Sequence, residues 1–212
     1  VFQFEHVGLD SGAADKWQKD RMSLPALKEN LTKWQNELDE VAWNSVFFCN
    51  HDQPRVVSRI GDNSPASAKC IATMLHMMQG TPYVYQGEEL GMTNCPFGPI
   101  GNYRDIESIN AYRELTEAGL REPEELLSCI AYKSRDNART PMQWNDGPNA
   151  GFSSGTPWIM VNPNYTEINA EKEQKDPFSV YHYYRRLIAL RRDSEWSELI
   201  VYGRYELLLP DD

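Results

Sequence analysis

Val46-Phe47-Phe48-Cys49-Asn50-His51-Asp52-Gln53-Pro54-Arg55 is an apolar run that stops on a histidine-carboxylate pair and then a proline. Val46, Phe47 and Phe48 lack polar alternation, which reads as a strand buried on both faces, as in a parallel sheet wrapped by helices. Pro54 ends that strand and fixes the loop behind it. An acid and an imidazole at the carboxyl end of such a strand lie where barrel and doubly wound α/β folds carry their chemistry. The competing reading makes Asp52 a turn or helix cap and His51 a satisfied core histidine.

Working outward, each neighbouring segment alternates between the two types. Phe2-Gln3-Phe4 reads as a strand. Leu27, Leu31, Trp34, Leu38 and Val41 share a helical face that begins near Ser23 and Pro25. After the His-Asp strand, Ser64 and Pro65 form an N-cap and first-turn pair for a helix through Ala68, Ile71, Ala72, Leu75 and Met78, with Gly80 as its stop. Thr81-Pro82-Tyr83-Val84-Tyr85 is the next strand, and Asp176-Pro177 opens a helix that finishes at Arg191-Arg192.

Between Thr93 and Asp176 runs an excursion of 84 residues, too long for an ordinary connection and therefore expected to be functional. It contains two helices, one marked by Ile106, Ile109 and Tyr112, the other by Leu126, Leu127 and Ile130. Beyond Arg192, Leu199 to Leu207 reads as strand, turn and strand, the opening of an all-β appendage. Repeated β/α alternation gives the fold class. Three units cannot close an eight-stranded barrel, so the chain is expected to be part of a larger one or an unusual small α/β domain.

With 41% hydrophobic residues among 212, the chain can bury a sizeable core, and it has no apolar stretch of membrane-spanning length. Its net charge of -10 opposes a phosphate-backbone partner, so nucleic acid is excluded. Cys49, Cys70, Cys95 and Cys129 show no Cys-x-x-Cys pairing for metal or redox work and read as reduced core residues of a cytoplasmic protein. The chain begins at Val1, so silence about a signal peptide carries no information.

Four segments in order resemble the α-amylase family of glycoside hydrolases: Phe2 to His6, Asn50 to Arg55, Gly80 to Asn94 and Arg135 to Trp144. Within that family the likeness is to oligo-1,6-glucosidases, α-glucosidases, dextran glucosidases and trehalose-6-phosphate hydrolases. It implies the C-terminal part of a (β/α)8 TIM barrel, strands six to eight, over residues 1–195. Residues 196–212 then form a linker and the start of a C-terminal β domain. By the same resemblance the activity is retaining hydrolysis of α-1,6 or α-1,4 glucosidic bonds at the nonreducing end of short oligosaccharides. The nucleophile and general acid would lie before Val1, so the chain by itself is expected to be inactive.

The resemblance makes Asp52 the third carboxylate, a transition-state stabiliser, and His51 its sugar-binding neighbour. A retaining glycosidase passes through an oxocarbenium-like transition state, so a fixed anion gains interaction as ring charge grows. Arg135 is expected to grip the terminal glucose beside the carboxylates, ahead of Arg139 on motif placement. Glu107 and Lys16 resemble polar residues of the adjoining subsite. Glu5, His6, Glu88 and Glu89 read as structural. No cofactor or metal site is expected in these residues, although relatives bind calcium in an earlier loop. The expected partner is a small oligosaccharide, with no membrane partner and no oligomeric state implied.

Three alternatives remain open. Trehalose-6-phosphate hydrolysis requires clustered basic residues, which the sequence does not obviously supply. Sucrose isomerases carry Arg-Leu-Asp-Arg where this chain has Gly8-Leu9-Asp10-Ser11. A noncatalytic sugar-binding or transporter-associated relative would keep the barrel without its acids.

Overall fold

Three extended segments lie side by side and parallel in chain order: Phe2 bridges Ser45, and β1 (Ser45–Val46) pairs with β2 (Thr81–Pro82). Ser45 N donates to Val1 O at 2.8 Å, Thr81 N to Asn44 O at 2.8 Å and Tyr83 N to Val46 O at 2.8 Å. The computed structural model describes residues 1–12, 15–20 and 22–211.

The ladder is shorter than the apolar runs predict. Phe47, Phe48 and Cys49 are buried as expected, yet regular pairing covers only Ser45 and Val46. On the partner side, Tyr85 N donates to the Glu88 carboxylate at 3.2 Å and Gly87 turns left-handed, which ends the extended run.

Helices connect and cover these strands. α1 (Leu24–Leu38) starts where Ser23 accepts from Ala26 N, and it buries Leu27, Asn30, Leu31 and Gln35. Its inward stripe therefore includes two polar residues, and Val41, placed on that stripe by periodicity, lies beyond the helix and is exposed. α2 (Val56–Arg59) and α3 (Pro65–His76) form the crossover from β1 to β2, with Ser64 capping α3 through Ser67 N. Ala68, Ile71, Ala72 and Leu75 face the main core, whereas Cys70 points outward and is exposed, against expectation. All four cysteines are free thiols.

Gly80 does not stop α3, which ends at His76. It adopts φ +128° where a Cβ would come within 2.7 Å of Asn44 O, so the close approach of β1 demands glycine there. The carbonyls at the end of α3 are instead satisfied by Arg191, which donates to His76 O, Met78 O and Gly80 O at 2.5–2.7 Å. Arg191 belongs to α8 (Val180–Asp193), capped by Ser179 rather than started by Asp176-Pro177, and α8 packs along α3.

The excursion builds its own core. α4 (Ile106–Glu117) and α5 (Pro123–Lys133) pack as a hairpin over Phe97, Tyr103, Leu126 and Ile130, and Trp17 joins this cluster from outside the excursion. Next come the single-turn α6 (Asp136–Arg139) and then α7 (Ala170–Lys175).

The C-terminal reading is corrected. Residues expected as strand, turn and strand form α9 (Ser197–Tyr202) followed by an irregular tail, and no strand follows Pro82 among the described residues. Ile200 and Val201 favour a strand by side-chain shape, but packing of α9 on α8 and of Tyr202 against Trp43 outweighs that preference. Among the described residues no helix is long and apolar enough to cross a membrane.

Candidate functional site

Asn50 to Gln53 form a tight turn beyond β1, in which Asn50 Oδ1 accepts from Asp52 N at 2.8 Å and Asn50 O accepts from Gln53 N. The turn projects the Asp52 carboxylate and the His51 ring into a cleft of about 460 Å³, whose walls include Phe2, Phe4, Phe47, Tyr83 and Tyr85. His51 Nε2 lies 3.2 Å from Asp52 Oδ2. The cleft offers the apolar and aromatic surface on which a sugar ring can stack, with polar groups at one end.

The short helix α6 brings two guanidinium groups to that end. Arg139 Nη2 donates to Asp52 Oδ1 at 2.7 Å, and Arg139 Nε donates to His51 O at 3.0 Å. Arg135 Nη1 stands 3.7 Å from the same carboxylate oxygen. Its other nitrogens donate to Asp105 Oδ1 at 2.5 and 3.2 Å. Both arginines thus stand beside Asp52, Arg139 through a hydrogen bond and Arg135 through a longer ion pair while anchored to a second acid.

Asp105 is the residue that sequence reasoning missed. Its side chain is 1% exposed, it caps α4 through Ser108, and its amide donates with that of Arg104 to Asp136 Oδ2. Burial pushes the Asp105 carboxyl up, but the Arg135 guanidinium and the Ser108 donors outweigh burial and hold it below the usual range. Reciprocally, the Asp105 carboxylate keeps Arg135 more firmly protonated. An aspartate just before an amphipathic helix signals an N-cap; nothing in the sequence links it to Arg135, 30 residues away.

Glu107 and Lys16 join the same network. Lys16 Nζ lies 2.6 Å from Glu107 Oε2, and Arg135 Nη2 lies 3.5 Å from it. All five sequence-derived site residues thus fall in one chain of contacts from His51 through Asp52, Arg135 and Glu107 to Lys16.

A second group missed by sequence reasoning lies below Asp52, across a polar pocket of about 180 Å³. Here the buried Asp10 carboxylate accepts from Arg59 Nε and Nη2 at 3.0 and 2.8 Å and meets Lys133 Nζ at 2.9 Å. Burial raises Asp10, yet the two cations overcome it and hold its carboxyl below the ordinary value. Glu5, His6 and Glu88 occupy bracing positions, Glu88 for example accepting from Tyr85 N and from the Tyr184 hydroxyl, whereas Glu89 Oε2 is buried without a hydrogen-bond partner among the described residues. Among the described residues no cluster of three or more His, Cys, Asp or Glu is arranged to hold a metal ion.

Comparison with known proteins identifies the family. Residues 1–203 match the family described as alpha amylase, catalytic domain. The whole chain is 57% identical to an oligo-1,6-glucosidase of Parageobacillus thermoglucosidasius and 48% identical to a trehalose-6-phosphate hydrolase of Escherichia coli. It superposes on the crystal structure of a Bacillus licheniformis trehalose-6-phosphate hydrolase with a TM-score of 0.94 at 50% identity, covering 100% of this chain. The chain spans 38% of the length of each of these relatives.

Proposed function

Since this chain belongs to the alpha-amylase catalytic-domain family, a family of TIM barrels, we propose that the full-length protein is a retaining α-glucosidase. It removes glucose from the nonreducing end of short oligosaccharides, with α-1,6 bonds preferred and α-1,4 bonds second. The observation that carries this reading is the Asp52 carboxylate, fixed between the His51 ring and the Arg139 guanidinium at the end of an aromatic cleft. The 57% identity to an oligo-1,6-glucosidase supports the linkage.

In this proposal Phe2, β1 and β2 are barrel strands six, seven and eight, a reading supported by their parallel order. Residues 1–195 form the C-terminal part of the barrel and 196–212 the linker beyond it. The protein acts in the cytoplasm, in keeping with four free thiols.

The chemistry follows from the charges. As the glucosyl bond breaks, positive charge spreads over the ring oxygen and anomeric carbon. Asp52 faces that charge and stabilises it more than it stabilises the neutral ground state. His51 donates to a ring hydroxyl. Arg139 orients Asp52 through the 2.7 Å bond, and Arg135, tied to Asp105, presents its remaining donors to the sugar. Glu107 and Lys16 line the leaving-group side. As the family resemblance implies, the nucleophile and general acid are supplied by strands four and five, outside these 212 residues.

The deciding experiment offers isomaltose, maltose, sucrose and trehalose 6-phosphate to the full-length protein and follows the first-formed anomer of glucose by NMR. Isomaltose turnover with α-glucose released first is expected. A second reading, trehalose-6-phosphate hydrolase, is supported by the 50% identity to the Bacillus licheniformis enzyme. Faster turnover of the phosphorylated disaccharide establishes it in place of the first, and no turnover of any sugar leaves a noncatalytic relative.

A further inference from the structure

Arg55 is 1% exposed, and although Glu88 and Glu89 act on its charge from further off, among the described residues no carboxylate oxygen lies within 4 Å of its guanidinium. Removing a guanidinium from water without an acid beside it is costly unless its donors are used elsewhere. Here they go to backbone carbonyls of two distant segments. Nε donates to Asn137 O at 3.1 Å and Nη1 donates to Gln86 O at 2.6 Å. The group also lies over the Tyr85 ring, 5.5 Å from its centroid.

The positions of these partners matter. Arg55 stands three residues after Asp52, in the loop that carries the carboxylate. Asn137 is the middle residue between Arg135 and Arg139, so its carbonyl belongs to the single turn that delivers both guanidinium groups. Gln86 follows the strand that forms the opposite wall of the cleft. One buried side chain therefore ties together the three segments that meet at Asp52.

The neighbouring bonds reinforce this bridge. Tyr85 donates its hydroxyl to Ala138 O at 3.1 Å, and Asn137 Oδ1 accepts from Cys95 N at 2.9 Å. Arg55 N in turn donates to Asn94 Oδ1 at 2.9 Å. Gly87, at φ +85°, passes so near that a Cβ would lie 3.2 Å from Arg55 Nη1, so this crossing has no spare room. α6 is a single turn and cannot hold its own orientation without such ties.

We infer that Arg55 is a positioning residue, which sets the distance between Arg139 on α6 and Asp52 on the β1 loop without touching the sugar. The inference rests on the glucosidase reading for its kinetic consequence, but its structural consequence stands apart. Lysine at this position keeps the charge but offers one nitrogen where arginine uses two. The carbonyls of Gln86 and Asn137 cannot both be held at their present distances.

The test is Arg55→Lys in the full-length protein, studied by isomaltose kinetics, thermal unfolding and crystallography. A displacement of about 1 Å at a reacting centre lowers turnover roughly 100-fold. Expected is a kcat loss of that order with KM changed less than about 3-fold, together with an Arg139–Asp52 separation beyond hydrogen-bond range. A retained 2.7 Å contact overturns the inference whatever the kinetics, and so does kcat within about 3-fold of wild type. Should the parent turn over no glucoside, the crystallographic distance alone decides it. If Arg55→Lys does not fold, Arg55→Gln, whose amide can serve only one of the two carbonyls, is read by the same kcat and Arg139–Asp52 distance, with the same results supporting or overturning the inference.

Discussion

Replacing Asp10 with asparagine takes away the carboxylate that Arg59 and Lys133 share. The three side chains are 1%, 3% and 7% exposed, so neither cation can recover its loss by turning to water. Asparagine has nearly the same shape, and its oxygen can accept one bond. Its NH₂, however, must face a guanidinium or an ammonium that is also a donor. Breaking a buried pair by removing one partner costs about 3–5 kcal/mol. Lys133→Met is the informative contrast, because it leaves the forked Arg59–Asp10 pair in place and forfeits the ammonium's bonds to the Asp10 carboxylate and to Asp10 O while returning the cost of burying that ammonium, a net loss of about 1.5–3 kcal/mol.

The assay is amide hydrogen exchange in the full-length protein, read on peptides covering α2 and α5, which carry Arg59 and Lys133. Local exchange measures the free energy of opening these elements without assuming two-state unfolding of a large protein. At 1.36 kcal/mol per decade, Asp10→Asn should lower protection by about two to four decades, and Lys133→Met by about one to two. The effect of Asp10 also has a defined pH sense. Its folded pKa lies below the ordinary 3.8, so its stabilisation is present above that value and is lost as pH falls through the depressed one. A loss of under ten-fold for Asp10→Asn, or equal losses for both variants, would refute the view that this carboxylate neutralises a buried pair of cations.

Asp52→Asn in the full-length protein should keep the fold and lower kcat by about two to three decades, the scale of removing one aimed electrostatic group; near-normal turnover removes Asp52 from the reaction. Arg139→Met should act on kcat because it unties Asp52, while Arg135→Met should lower kcat through its lost sugar contact and also cost stability by leaving the buried Asp105 without its hydrogen-bonded guanidinium, and urea unfolding beside kinetics tests whether only the second variant loses both. Glu88→Gln should flatten the fall of stability with pH. Burial raises the Glu88 carboxyl from 4.5 to about 7, so the folded state holds its proton more tightly and loses about 3 kcal/mol as pH rises through that window. An unchanged difference in urea stability between pH 5 and pH 8 would count against it.

The helices that the sequence marks clearly are those with an inward stripe and a polar cap. α3 is legible because Ser64 caps it and apolar residues recur at helical spacing, and α8 by its spacing alone, since its cap is Ser179 and not the Asp176-Pro177 pair read as its start. The strands are legible as buried segments but not in length, since what stops the second run is a side chain, Glu88, taking the amide of Tyr85. α9 is illegible for the opposite reason: its local preference is for a strand, and what overrides it is packing on the preceding helix α8 and on Trp43, which lies far back in the chain. The same distinction applies to the site. His51 and Asp52 are readable because they end an apolar run. Asp10, Arg55 and Asp105 are polar residues in loops or at caps, and their partners lie 49, 82 and 30 residues away.

Charge balance adds a further argument about substrate. Asp52, Asp105 and Glu107 face Lys16, Arg135 and Arg139, so the cluster is neutral although the chain carries -10. The Arg135 guanidinium is already engaged by Asp105, and the Lys16 ammonium by Glu107. Below the cluster, the group formed by Asp10, Arg59 and Lys133 carries a single excess positive charge, and its donors are directed at Asp10 and at the carbonyls of Val7 and Asp10. A phosphorylated sugar would bring about two negative charges to a surface whose cations are paired, and would have to break a contact such as Lys16–Glu107 to be met. An uncharged disaccharide needs only the donors that remain free and the aromatic walls. Within these residues the arrangement supports the neutral substrate proposed above, with the cost of a charged one falling on the ion pair at the edge of the cleft rather than on Asp52.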